Sequence, residues 1–515
     1  MSNSKGIIVF KNTIVMYVNI IVKTLIWLYL MRVVLNVLGV EDFGIYNLIA
    51  GVIALLTFVN SALMSSTQRY LSFAIGAKDD EGLRKYFQSG LVIHFGIAVL
   101  LTLIFEIIGL FIFDGFLNIP AERIDVAKEV YQLMIFSTVA SIISVPYNAA
   151  INAHEDIWYL GIIHIISTVI KLFVIFGFRY IHFDSLLLYT IWISSAQVFE
   201  LLAALVWSVF KYKECRFVSD VLSYHKKYIK EMLGFSGWNT LGAFAVVCRN
   251  QGISVTLNVF FGPTINAVFG IANQIDGQLV GFANTLTAAM SPQIVKSEGE
   301  GNKRRLLFLS VFSSKLSFML SVVFALPLFI EFPLILRLWL KDVPDFSEIY
   351  CSVILMMFLV CELYPGLSRG IQAVGDIKWV MILSSICVVL PIPVGCLIFK
   401  FGVIHYYITA LMLIMQIVSL AIHVYYSNRF FNLSISSFTV FIIKSTLIVV
   451  VLFLGGHSIK YFVEGQINEI LRLLIVTVTV VPLFLITYYY YCFDSEEKTK
   501  IKVLVQNLVN KLKNK

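Results

Sequence analysis

The sequence predicts an all-α polytopic membrane protein. It has about 14 transmembrane helices, in two pseudo-symmetric six-helix lobes followed by a C-terminal helix pair. Three observations carry this reading. The composition is too apolar for water, the apolar residues come in bilayer-length blocks, and landmarks of the first half recur in order in the second. Of 515 residues 59% are hydrophobic and 14% charged, with a mean hydropathy of +0.87. A soluble chain carries roughly 25% charged residues. Blocks of about 20 apolar residues or more are what a helix needs to cross a core of roughly 30 Å. The alternation of a β-barrel is absent, and no polar stretch is long enough for a separate soluble domain.

Apolar segments between polar breaks place the spans at 11–37, 43–66, 88–113, 128–150, 157–180, 185–210, 236–260, 266–290, 306–332, 348–370, 377–399, 403–428, 435–456 and 468–493. The first contains Asn19, Lys23 and Arg32 and lacks a small-residue cleavage site, so it reads as a retained span, not a signal peptide. The seven cysteines fall mostly inside spans without metal-ligand spacing and read as small buried apolar residues. Orientation follows from the loops. With the N-terminus inside, the inner segments hold 24 of the 39 basic residues and the outer loops eight. Both termini are therefore expected in the cytoplasm. The net charge of +8 reflects this topology, and no nucleic-acid partner is expected.

The recurrence begins with INAHEDIWY at 151–159 and IQAVGDIKW at 371–379. Ile151, Ala153, Asp156 and Ile157 match Ile371, Ala373, Asp376 and Ile377. LNVLG (35–39) resembles LNVFFG (257–262), pairing Gly39 with Gly262, and IGAKDDEGLRK (75–85) lies opposite EGEGNKRRLLF (298–308), pairing Gly76 with Gly299. LNIP (117–120) corresponds to LKDVP (340–344), and Pro146 to Pro365. Six spans separate the copies, so both halves enter the membrane in the same direction, as in parallel-repeat transporters with a site near the midplane. The expected organisation is an N-lobe (1–210), a basic amphipathic linker (211–234), a C-lobe (235–430), an added helix pair (431–495) and a basic amphipathic tail (496–515). The tail is expected on the anionic inner leaflet.

These landmarks carry a resemblance. The 6+6 layout resembles the MOP superfamily, which includes MATE-type drug exporters and lipid-linked sugar flippases. LGVEDFGIYNLI (38–49), SSTQRYLS (65–72), PYNAAINAHED (146–156) and AAMSPQIV (288–295) look like its polysaccharide-biosynthesis branch, the O-antigen or capsular oligosaccharide translocases. The resemblance covers about residues 10–430; an additional helix pair is also seen in the lipid II flippases. It implies the bacterial inner membrane and an undecaprenyl-diphosphate-linked oligosaccharide as substrate. It also implies membrane lipids as partners, together with the polymerase and glycosyltransferases of the same pathway.

Ionisable residues inside spans are costly and default to functional candidates. Lys23 lies near the middle of span 1 and Arg249 near the middle of span 7, its repeat counterpart. With Arg32 and Arg369 they are the candidate diphosphate ligands, and Lys315 could extend the set. A cation about 4 Å from a phosphate oxygen contributes about 4 kcal/mol at an effective dielectric near 20. Arg suits bidentate phosphate contact and Lys a point charge. Asn19, Asn250, Asn273, Gln274, Gln278 and Asn284 are the candidate glycan-facing residues. Asp276 and Glu200 are candidates for proton or Na⁺ coupling, because a buried carboxylate can cycle between charged and neutral forms. The competing reading pairs the cations with Glu200, Asp276 or Glu362 as helix-holding ion pairs. Aromatic residues near span ends, YYYY at 488–491 among them, read as interfacial belts.

Four functions compete. The favoured one is the flippase. A cationic-drug exporter on the same fold would need acidic residues where this chain has Lys23 and Arg249. A lipid II flippase fits the span count better than the motifs. A polymerase or ligase would need a large outer loop, whereas the segment around 114–128 is short. No paired-carboxylate or metal-ligand constellation appears, so neither an enzyme nor a cofactor is expected.

Overall fold

A computed structural model describes residues 58–113, 119–180, 183–216, 225–340, 343–464 and 466–503, with scattered positions between 22 and 53. It is all-α: no strand occurs among the described residues. The helices are α1 (Phe58–Ala77), α2 (Asp80–Phe111), α3 (Ile124–Ala153), α4 (Ile157–Tyr180), α5 (Ser185–Lys211) and α6 (Lys226–Gly299). There follow α7 (Lys303–Ile330), α8 (Phe332–Leu340), α9 (Ser347–Cys361), α10 (Pro365–Val374), α11 (Lys378–Val389), α12 (Pro391–Lys400), α13 (Tyr407–Phe431), α14 (Ile435–Val463) and α15 (Glu469–Cys492). Among the described residues nine of these, merging α11 with α12, are long and apolar enough to cross a membrane, and ten if the bent pair α9–α10 is one span. The expected first span lies mostly outside the described residues, as does part of the second, at 47, 48, 51, 52 and 54–57.

Helix α6 is two rods, 226–261 and 263–299, joined at Gly262 with φ 83° and ψ −178°. A straight helix of 74 residues would be about 110 Å long, several times a bilayer core. The sequence solves this with a glycine that adopts positive φ without steric cost, followed by Pro263, which has no N–H to continue the helix.

The duplication is written in the backbone. Gly39 and Gly262, paired by sequence, both have positive φ (74° and 83°). The alignment of Gly76 with Gly299 extends to Lys78 (φ 56°) and Gly301 (φ 69°). The next residues, Asp79 and Asn302, cap α2 and α7 by accepting from the amides of Gly82 and Arg305. In INAHED and IQAVGD, Glu155 (φ 69°) takes the position of Gly375 (φ 96°). Each copy therefore ends the same helices with the same left-handed residue, even where one copy lacks the glycine.

The chain forms two compact units that divide between Ala243 and Phe244, inside the first rod of α6. In the N-terminal unit α3 is central and packs on α1, α2, α4 and α5. Beyond one end of α3, Arg123 donates from Nε to Asp42 (2.8 Å) and from Nη1 to Asp184 (2.5 Å). Asp184 also caps α5 through the amides of Leu186 and Leu187. At the other end Asp156 accepts from Tyr212 Oη (2.6 Å) and Lys211 Nζ (2.7 Å), closing the α3–α4 turn on the end of α5. Partial burial pushes the Asp156 carboxyl up, but Lys211 and Tyr212 outweigh it and hold the pKa below its usual value. A carboxylate depressed in the fold stabilises above its unfolded pKa of about 3.9, and that contribution fades as pH falls through the folded value. Wild-type protein in detergent should thus lose thermal stability below about pH 4 more steeply than Asp156→Asn; identical acid profiles would refute this role.

In the C-terminal unit α7 is the hub, touching α8, α9, α10, α13, α14 and α15. Small residues allow the closest crossing. A Cβ on Gly366 would sit 2.1 Å from the Ser310 carbonyl oxygen, and one on Gly370 2.5 Å from Ser310 Oγ. This is the small-residue spacing that brings membrane helices into backbone contact. The C-terminal pair α14–α15 is bound to α7 at both ends. Arg472 donates from Nε and Nη2 to the two carboxylate oxygens of Glu331, both at 2.9 Å, while Lys315 Nζ reaches Glu497 at 2.7 Å. Lys315 therefore does not extend an anion site, because the segment after α15 claims it. Tyr488 is likewise no belt residue: it is fully buried and donates to the Lys315 carbonyl (3.0 Å), whereas Tyr490 and Tyr491 are exposed.

Candidate functional site

Lys23, Arg32 and Asn19 lie outside the described residues. The remaining sequence candidates, except Glu200, fall in the C-terminal unit, on α6 and around the α9–α10 bend. The second rod of α6 carries most of them. At 100° per residue Asn273, Asn284, Gly277, Gly270, Gly281, Gln274 and Gln278 occupy one arc of about 140°. Gly270, Gln274, Gly277, Gln278, Gly281 and Asn284 are exposed, and Asn273 is half-buried. None of the three glycines has any atom within 4 Å of where a Cβ would stand. The result is a strip of amides separated by open notches, about 20 Å long. Primary amides facing hydrocarbon would leave their hydrogen-bonding groups unsatisfied. The strip therefore suits a polar surface better than one against acyl chains.

Beside the strip is a charged cluster. Arg249, half-buried on the first rod, donates from Nε to Asn250 Oδ1 (3.0 Å) and is the electrostatic neighbour of Asp276 on the second rod. Asp276 in turn acts on Glu362, and Cys361 lies within the field of all three. Glu362 is buried and accepts from Ser317 Oγ at 2.5 Å. One cation and two carboxylates thus converge from α6 and the end of α9. Asp276 and Arg249 partly satisfy the competing ion-pair reading, but no bridge of 4 Å or less joins them among the described residues.

Glu362 is the residue that sequence reasoning undervalued. It sits where the expected span 348–370 breaks into α9 and α10, bent by 45°. Pro365 has no N–H to offer the carbonyl of Cys361, so the helix cannot run through. A Glu three residues before a Pro inside an apolar run was the available signal. Tyr364, in the same break, receives a hydrogen bond from Gln416 Nε2 (2.5 Å) and lies 3.4 Å from Ser419 Oγ. His423 Nδ1 meets the Ser419 carbonyl at 2.8 Å. The break is thus pinned to α13 by a buried polar chain.

Arg369 is half-buried on α10 and donates from Nη1 to Gln372 (3.2 Å), one turn further on. No contact joins it to Arg249 among the described residues. Glu200 belongs to the N-terminal unit, where its Oε2 stands 3.4 Å from His164 Nδ1, with Ser167 and Lys171 also acting on it. Within the C-terminal unit the structure brings Arg249, Asn250, Asp276 and the amide strip onto α6, with Arg369 on α10; Glu200 belongs to the N-terminal unit. Among the described residues no group of three or more metal-type ligands occurs.

The MatE family model matches the chain over residues 16–176 and 241–397, two segments whose starts lie 225 residues apart. No curated protein sequence matches it. Among solved structures, the chain superposes on a multidrug resistance MATE transporter of the MOP superfamily in an outward-facing conformation. The TM-score is 0.71 at 15% identity, covering 85% of this chain and 99% of that one. A MATE structure in a bent conformation gives 0.72 at 15% identity, with 85% and 98% covered. A MOP-superfamily transporter from Pyrococcus furiosus gives 0.70 at 14% identity, with 85% and 99% covered. It is described as having a binding pocket of reversed polarity that suggests a different function.

Proposed function

Because this chain belongs to the MatE family and has the fold of MOP-superfamily transporters, we propose that it carries an anionic, glycan-bearing lipid from the inner to the outer leaflet of a bacterial inner membrane. The cargo is an undecaprenyl-diphosphate-linked oligosaccharide. The observation that carries this reading is the exposed amide strip of α6 beside Arg249. Amides and open glycine notches suit successive sugar hydroxyls, and a guanidinium suits a diphosphate. The polysaccharide-branch motifs, AAMSPQIV at 288–295 among them, support the same cargo. Lys23 would add the second cation. The membrane potential, negative inside, favours outward movement of an anion by about 2.3 kcal/mol per charge per 100 mV. Asp276 with Glu362 is the place for a coupling proton or Na⁺, which would neutralise the excess carboxylate beside Arg249.

A second reading is a cation-coupled multidrug exporter. The family match and the structures described as MATE transporters support it more directly than they support a flippase, and the two carboxylates would serve it as well. The Pyrococcus transporter supports the view that this fold accommodates a changed pocket charge. One experiment separates the readings. In a strain deleted for this chain, lipid-linked oligosaccharide should accumulate on the inner leaflet, and the plasmid-borne chain should clear it without conferring resistance to cationic dyes. Dye resistance without restored glycan export would establish the exporter. Restoration of peptidoglycan precursor export alone would point to lipid II.

A further inference from the structure

The C-terminal unit contains a second charged place, remote in sequence from the amide strip. A cavity of about 630 Å³ lies where the N-termini of α7 and α14 meet the end of α15 and the segment that follows it. Five basic residues line it, Arg304, Arg305, Lys315, Lys444 and Lys500, against three acidic ones. Three of the five are engaged. Lys315 is held by Glu497, Lys500 by Glu496 at 2.7 Å, and Arg305 by Glu300 and Gln293, both at 2.5 Å. Arg304 and Lys444 are exposed and make no hydrogen bond or ion pair of 4 Å or less among the described residues, although Arg304 acts electrostatically on Glu496 and Lys444 on Cys492.

The position of Lys444 identifies what the cavity faces. It is the tenth residue of α14, about 14 Å along the helix. Its exposed neighbours are Val440 (46%), Ile443 (60%) and Leu447 (60%), an apolar surface that belongs against acyl chains. An ammonium on such a face either snorkels to the interface or holds an anion there. The cavity supplies the space for an anion, a guanidinium at its rim, and an apolar flank below it. Free phosphate would use the two cations but not the flank; a phospholipid uses both.

We propose that this cavity binds the headgroup phosphate of an anionic phospholipid, with Arg304 and Lys444 as ligands and the acyl chains along Val440, Ile443 and Leu447 of α14. Basic pockets between membrane helices recognise anionic headgroups in this way. The site is separate from the transport reading, and it ties the C-terminal pair to the surrounding leaflet.

The test uses the full chain in detergent micelles doped with equal amounts of phosphatidylglycerol and phosphatidylcholine, with bound lipid read by native mass spectrometry. Phosphatidylglycerol should be retained about tenfold over phosphatidylcholine, and the double variant Arg304→Gln, Lys444→Gln should lose that preference. Both side chains are exposed, so the variant should fold, which a thermal melt verifies. Lys226→Gln with Lys227→Gln, exposed basic residues elsewhere, should keep the preference. Unchanged preference in the Arg304, Lys444 variant would overturn the proposal. So would inorganic phosphate raising the melting temperature as far as phosphatidylglycerol does, because the ligand would then be a soluble anion.

Discussion

Arg472→Ala should destabilise the protein by about 3–5 kcal/mol, the cost of leaving a buried carboxylate without its partner. Glu331 is fully buried, and Arg472, 4% exposed, meets both of its oxygens in a bidentate fork. Glu464 is a further partner of Arg472 at 3.2 Å, but it is half-exposed and can return to water. Thermal unfolding in detergent should show the loss. Limited proteolysis should show α14 and α15 released first, because among the described residues only this pair and the Lys315 contacts to Asp494 and Glu497 tie them and the following segment ionically to α7. Arg472→Met combined with Glu331→Leu should recover most of the loss, since a buried ion pair replaced by packed apolar groups is often neutral. A single variant that melts with the wild type would show that the fork contributes nothing to holding the helices.

On the flippase reading, Arg249→Ala should reduce glycan export at least tenfold while the protein reaches the membrane in normal amount. A cation about 4 Å from a phosphate oxygen is worth about 4 kcal/mol at an effective dielectric near 20, and each 1.4 kcal/mol is tenfold in affinity, so tenfold is a conservative expectation. Arg249→Lys should retain part of the activity, because it keeps the charge and loses the bidentate geometry. The exporter reading predicts the opposite sign. Removing Arg249 would relieve Asp276 of its opposing charge and leave efflux of cationic dyes intact or increased. Assaying both cargoes on the same variant therefore decides between an anion ligand and a counter-charge.

The class, the approximate spans and the duplication were legible in the chain because each is a local or periodic property. Hydropathy reports the solvent directly, since an unpaired backbone in lipid leaves few alternatives to helix. The pairing of Gly39 with Gly262, and of INAHED with IQAVGD, was legible because a helix end imposes its left-handed residue at a fixed position. Even there the letters were incomplete: Glu155 and Lys78 occupy left-handed positions that glycine occupies in the other copy.

Partnership was not legible. Lys315 and Glu497 are 182 residues apart and Arg472 and Glu331 141, so nothing local distinguishes them from cations free to bind a substrate. Tyr488 and Tyr490 stand two residues apart in the same tyrosine run, and only the packing of α15 on α7 sends one inward and the other out. The sequence by itself determined where the helices lie and that they come in two copies, because those depend on solvent and on the chemistry of neighbouring residues. Tertiary structure alone decided which buried charges neutralise one another. An ion pair's energy depends on distances of a few ångströms between residues the chain keeps far apart.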